Sequence, residues 1–136
     1  MYELIKKYEG LHLKAYLCPA GIPTIGYGTT RIEGRPVKLG DTITKQDADR
    51  LLEQHIAREV LPHIQGLNLT PGQIEATTSL IYNIGAGAFN RSKLKTAIKA
   101  RDLLNICKEW DFGFSSGLKG LFKRRTEELY LFIKDV

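Results

Sequence analysis

The chain reads as an α+β protein: a small N-terminal β-hairpin lobe joined by a helix to a larger helical lobe. Between residues 11 and 36, short apolar stretches alternate around Pro19-Ala20-Gly21 and Gly34-Arg35-Pro36, the pattern of strands and tight turns. From residue 44 onward the apolar period becomes 3.6, the pattern of amphipathic helices. At 136 residues the chain is long enough for one compact domain with a core of its own. A single domain over 1–136 is therefore expected, with the small lobe at about 10–43. The helical lobe is expected over about 62–136 plus the N-terminal helix, and the groove between lobes is the default site.

Residues 2–9 form a short amphipathic helix with Leu4, Ile5 and Tyr8 on one side and Gly10 at its stop. Leu13 to Leu17 and Thr24 to Tyr27 follow as strands, and a third short strand covers Thr30 to Glu33. Gly26 and Gly28 mark bends or the close approach of another backbone. Thr44 with Asp47 resembles a capping box, and Ala48, Leu51, Leu52, His55, Ile56 and Val60 make a helical stripe ending near Pro62. Thr70-Pro71-Gly72-Gln73 is a fuller start signal, with a cap, a proline in first position and Gln in third. The helix it opens runs to about Ile84 without charge after Glu75, so it belongs at the centre of the helical lobe. Further helices are expected over Lys93 to Ala100, Leu103 to Trp110 and Leu118 to Lys134.

Composition narrows the partners. Apolar residues at 43% and charged residues at 26% are ordinary for a globular protein. Lys and Arg number 20 against 15 Asp and Glu, and the resulting net charge of +5 suits an anionic partner: nucleic acid, acidic lipid or wall polymer. No stretch reaches the ~20 apolar residues of a membrane span, and the first residues lack the apolar region and cleavage site of a signal peptide. Cys18 and Cys107 are far apart in sequence, and a reducing cytoplasm would keep both as thiols. His12, His55 and His63 show no metal-ligand spacing, so neither metal nor other cofactor is expected.

Chemistry concentrates around the first hairpin. Glu9 follows an apolar helix turn, where burial favours the protonated acid. Cys18 and Thr24 come next, spaced so that two adjacent strands present both to one cleft. An acid and a water-handling partner are the minimum for cutting a glycosidic bond. Near the other end, Leu118, Leu121, Phe122, Leu129, Phe132 and Ile133 define an apolar stripe with Arg125 inside it. A guanidinium on a buried face requires a carboxylate, and pairing of Arg125, or Arg124, with Glu9 across the cleft is expected.

The run Tyr8-Glu9-Gly10 through Thr24-Ile25-Gly26-Tyr27-Gly28 resembles the phage-type lysozymes, the endolysins of glycoside hydrolase family 24. That family's pattern is Glu, eight residues, Asp or Cys, five residues, Thr, and Glu9, Cys18 and Thr24 match it. The resemblance continues through Tyr82-Asn83-Ile84-Gly85-Ala86-Gly87-Ala88-Phe89 and Gly117-Leu118-Lys119-Gly120-Leu121-Phe122-Lys123-Arg124-Arg125, covering nearly the whole chain. It implies a lysozyme-like fold and hydrolysis of the β-1,4 bond between N-acetylmuramic acid and N-acetylglucosamine in peptidoglycan. By the same resemblance Glu9 is the catalytic acid, Cys18 the second catalytic group and Thr24 the positioner of water or sugar, while Asn83 and Gly85 belong to a helix-end motif lining the groove.

Cys18 departs from the Asp more usual at its position, and a thiol of pKa ~8.5 substitutes for a carboxylate only when a neighbour lowers its pKa. Asp-bearing members imply inversion, with carboxyls about 6.5–9.5 Å apart; with Cys18 a covalent retaining route stays open. Thr29 stands where the family often carries His after Gly-Tyr-Gly. The resemblance further implies a monomer without stable membrane association, held in the host cytoplasm until a holin opens the membrane. Lys123-Arg124-Arg125 is too short, and too tied to the helix stripe, to argue nucleic-acid binding, and Trp110 belongs to the core. The alternatives are a lytic transglycosylase, which needs one Glu and releases 1,6-anhydro sugars, and an inactive wall-binding homologue.

Overall fold

The structure, a computed structural model, describes residues 1–114 and 119–136. Leu118, counted in the stripe on the last helix, and Gly117, quoted in the family motif, lie outside the described residues. The chain divides into two compact units: Ile5–Arg58, and Met1–Leu4 together with Glu59–Val136.

The first unit is built on hairpins. Helix α1 (Glu3–Glu9) stops at Gly10, whose φ of +74° lets its N–H bond the Lys6 carbonyl at 3.1 Å. Strand β1 (His12–Leu17) then pairs antiparallel with β2 (Pro23–Gly26), setting Tyr16 opposite Thr24 and Leu17 opposite Pro23. A second hairpin follows, and here the sequence reading is corrected. Strand β3 (Arg31–Ile32) pairs with β4 (Arg35–Pro36), so Arg35 and Pro36 are strand, not turn. Glu33 and Gly34 take the turn, with φ of +49° and +85°, the left-handed pair that matches strand twist. Ala15, Ile25 and Val37 form the core between the hairpins, with Ile32 and Ile43 packed on it.

Helix α2 (Lys45–Glu59) opens with the reciprocal box its sequence announces. The Asp47 N–H bonds the Thr44 hydroxyl at 3.1 Å, and the Thr44 N–H bonds the Asp47 carboxylate at 3.2 Å. Most of both flanking helices, Ile5 to Glu9 of α1 and Lys45 to Arg58 of α2, groups with the hairpins. The reason is contact: a Cβ at Gly26 would lie 3.5 Å from the Ala48 Cβ, and Asp49 meets Lys6 at 3.5 Å.

The second unit is helical, with α3 (Leu61–Ile64), α4 (Pro71–Ile84), α5 (Ala86–Asn90), α6 (Lys93–Ala100), α7 (Leu103–Phe114) and α8 (Lys119–Ile133). Pro62 lies in the first turn of α3 and not at the end of α2. Thr70 and Gln73 cap α4 reciprocally, at 3.2 Å and 3.0 Å. α4 packs against α8, and α7 against both α6 and α8. Leu80, Phe89, Leu94, Ile98, Trp110 and Phe132 are buried among them. As its lack of charge predicts, α4 is central, though its buried face also carries Thr77, Thr78 and Ser79.

On α8 the stripe is not the one apolar periodicity draws. Phe122 is 55% exposed, whereas Arg124, Arg125 and Glu128 are buried beside Phe132. Counting apolar side chains places the face wrongly because the buried row is charged.

Three carboxylates of the first unit sit below their ordinary range: Asp41 through the Lys38 N–H, Asp47 through the Thr44 N–H, and Asp49 through the Lys45 ammonium. A depressed folded-state pKa stabilises above the unfolded value, near 3.9, and that stability is lost as pH falls through the folded value. Asp47→Asn is expected to melt below the wild type at pH 6, and the gap in Tm should close as pH falls through the depressed folded-state value and the carboxyl becomes neutral. An undiminished gap at low pH would show that charge has no part in the cap.

Candidate active site

The hairpin positions two of the three matched residues by register. Cys18 extends β1 past Leu17, its N–H donating to the Ile22 carbonyl at 3.1 Å, while the Gly21 N–H returns to the Cys18 carbonyl at 2.8 Å. Side chains directly opposite one another in a pair share a sheet face, and so do residues two apart along a strand. Tyr16, Cys18, Ile22 and Thr24 therefore share one face. Thr24 is 4% exposed, and its hydroxyl donates to the Ile22 carbonyl at 2.8 Å.

The half-buried thiol of Cys18 is held below its ordinary pKa. The Ile22 N–H is the chief cause and partial burial opposes it; the Ala20 N–H and the Cys18 N–H add to the lowering. The Thr24 hydroxyl also lies in bonding range of the sulfur. Its single proton cannot serve both neighbours, and the short bond to Ile22 places it on the carbonyl. Backbone N–H groups that favour the ionised form are the kind of neighbour effect that a thiol at this position requires.

Glu9 is the half-buried last residue of α1. Its carboxylate and the Cys18 sulfur act on a common neighbour: after burial, their charges are the causes that raise the Tyr16 phenol. Glu9, Cys18 and Thr24 all belong to the first unit, the last two on one hairpin face and Glu9 at the end of α1.

Arg125 and Asn83 belong to the second unit. Asn83 is exposed on the last turn of α4, and the cap there is the Gly85 N–H, bonded to the Ile81 carbonyl at 2.7 Å. Within its own unit Arg125 meets the Glu128 carboxylate, three residues further along α8. Arg125 Nε lies 2.8 Å from Glu128 Oε1, and Nη2 donates to Oε2 at 3.1 Å. Arg124 Nε reaches Oε2 at 3.3 Å and its Nη2 donates to the Ser79 carbonyl at 3.0 Å. The Ser79 hydroxyl and the Trp110 indole N–H also donate to Glu128, at 2.5 and 3.3 Å. Burial pushes the Glu128 carboxyl up, against the pull of Arg125, then Ser79, Arg124 and Trp110.

Sequence reading passed over Glu128. Its signal was present: a Glu three and four residues after two arginines shares their helix face. Trp110 is fully buried, packed at 5.2 Å against Phe132, as a core residue should be. Cys18 and Cys107 are both unbridged.

Comparison with known proteins identifies the family and the fold. The phage lysozyme family model matches residues 6–128. The endolysin of Acyrthosiphon pisum secondary endosymbiont phage 1 is 40% identical over 138 residues, covering 95% of this chain and 92% of its own. Among solved structures, the endolysin from Escherichia coli O157:H7 phage FAHEc1 superposes with a TM-score of 0.88 at 32% identity, over 99% of this chain and 91% of that one. The muramidase domain of SpmX from Asticaccaulis excentricus superposes at 0.72 and 31% identity, over 97% and 93%. The fold and these relatives therefore define a lysozyme-type glycosidase. The chain belongs to the phage lysozyme family.

Removing one partner of a buried ion cluster leaves uncompensated charge, at a cost of about 3–5 kcal/mol. Glu128→Gln should lower unfolding stability by that order in urea titrations. A change below about 1 kcal/mol would mean that the two guanidiniums do not depend on this carboxylate.

Proposed function

We propose that Glu9, Cys18 and Thr24 carry the reaction in this chain. The chain is a peptidoglycan-degrading endolysin, a glycosidase that hydrolyses the β-1,4 bond between N-acetylmuramic acid and N-acetylglucosamine and acts on the cell wall. Glu9 hands its proton to the glycosidic oxygen as the bond to C1 breaks. Water attacks C1 from the opposite face, and the Cys18 thiolate takes the proton that the water loses. Thr24 holds that water. Each turnover ends with Glu9 as carboxylate and Cys18 as thiol, and proton exchange with solvent resets both.

The observation that carries this reading is the lowered Cys18 thiol on the face it shares with Thr24, beside a Tyr16 phenol that feels Glu9 as well. No metal or cofactor enters the scheme. Burial of Arg124 and Arg125 supports a structural role for the Lys123-Arg124-Arg125 run in place of nucleic-acid binding. The net charge of +5 supports adsorption to anionic wall polymers by a monomer. Membership of a phage lysis family supports release from the host cytoplasm through a holin.

On purified Gram-negative sacculi, Glu9→Gln and Cys18→Ser should each lose roughly 10²–10⁴-fold in kcat. Cys18→Asp should keep activity, because a carboxylate also serves as base. Product mass spectra should show fragments each gaining one water. Full clearing by Glu9→Gln, or 1,6-anhydro ends in the products, would overturn the assignment, as would a glycosyl adduct trapped on the Cys18 sulfur.

A further inference from the structure

We propose that Tyr16 is a further catalytic residue, its phenol hydroxyl donating the hydrogen bond that fixes the attacking water between Cys18 and Thr24. The inference rests on the reading of Cys18 as base, and it starts from a count of donors and acceptors. The Thr24 proton is committed to the Ile22 carbonyl at 2.8 Å, so its oxygen presents lone pairs to the site. A thiolate only accepts. Water held between them therefore spends one proton on each. Of its two lone pairs, one must point at C1, and the other calls for a donor.

Tyr16 is placed to be that donor. It stands opposite Thr24 in the β1–β2 register and two residues before Cys18, so the three side chains share a face. Its ring stacks on His12 at 4.1 Å with planes tilted by 35°, which limits its swing. It is half-buried, and among the described residues its hydroxyl makes no hydrogen bond to protein, which leaves that donor available. Burial first, then Glu9 and Cys18, push the Tyr16 phenol up, so the group stays a donor. The sequence-based reading assigned nothing to Tyr16, because tyrosine is also an ordinary strand residue.

The test is a double-mutant cycle on purified sacculi, with kcat and KM measured separately for wild type, Tyr16→Phe, Cys18→Ser and the double variant. Tyr16→Phe keeps the ring on His12 and should fold as the wild type does. It should lower kcat by roughly 10²-fold, the scale for losing one preorganised donor, with KM unchanged. Added to Cys18→Ser, the same change should cost no more than about threefold, because the water is no longer being activated. The pH profile of Tyr16→Phe should keep its limbs in place.

Full kcat in Tyr16→Phe, or a rise in KM alone, would overturn the proposal and leave the ring as a sugar platform. An equal loss in both backgrounds would overturn it too, since Tyr16 would then act independently of Cys18. A displaced pH profile with an unchanged plateau would show the hydroxyl acting on the thiol and not on water. Full activity of Cys18→Ser would instead sink the assignment of Cys18, whatever Tyr16→Phe does, so the two failures are distinguishable.

Discussion

The Ile22 carbonyl accepts two hydrogen bonds, from the Cys18 N–H and from the Thr24 hydroxyl, and the chemistry of the site rests on that junction. The first bond closes the turn and lines up the thiol with the Ile22 and Ala20 amides. The second turns the Thr24 hydroxyl so that its oxygen faces the site as an acceptor. Side chains alternate along a strand, so a register slip of one residue would send Tyr16 and Thr24 to opposite faces. The Tyr16–Thr24 pairing is therefore what sets both side chains on one face.

The hairpin also bears on the sulfur at position 18, where the family pattern that the sequence resembles admits Asp or Cys. A free thiol is mostly protonated at neutral pH and makes a poor partner for a developing oxocarbenium ion. Backbone N–H dipoles change that without a cationic side chain, because they are fixed by the turn and need no reorganisation when charge develops. In the proposed reading, a sulfur together with the backbone that holds it stands in for the carboxylate.

In the helical unit a different constraint operates. Glu128 is fully buried and takes charge-assisted bonds from two guanidiniums, with Ser79 and Trp110 completing its shell. Such a cluster is no better for stability than a packed apolar core, but once built it tolerates no missing member. It joins α4, α7 and α8 through directional bonds, which select one rotation of α8 where leucines would accept several. This is why α8 turns Phe122 outward and Arg124 inward.

Local features were legible in the residues alone. The boxes at Thr44–Asp47 and Thr70–Gln73, the stop at Gly10, and the turn between β1 and β2 involve partners within a few positions, so short-range chemistry decides them. The Glu9, Cys18 and Thr24 spacing belongs to the same class, since it spans one helix end and one hairpin. Other features depended on partners distant in sequence. Ser79 meets Arg124 across 45 positions and Glu128 across 49, and no periodicity rule connects them. The extent of the first unit was settled by Ala48 against Gly26 and Asp49 against Lys6. Tertiary structure alone showed which backbone amides reach the Cys18 sulfur and that Glu9 and Cys18 both act on Tyr16. Sequence specifies which groups exist and how nearby ones bond; distance between far-separated groups, such as Ser79 and Glu128, exists only once the chain is folded.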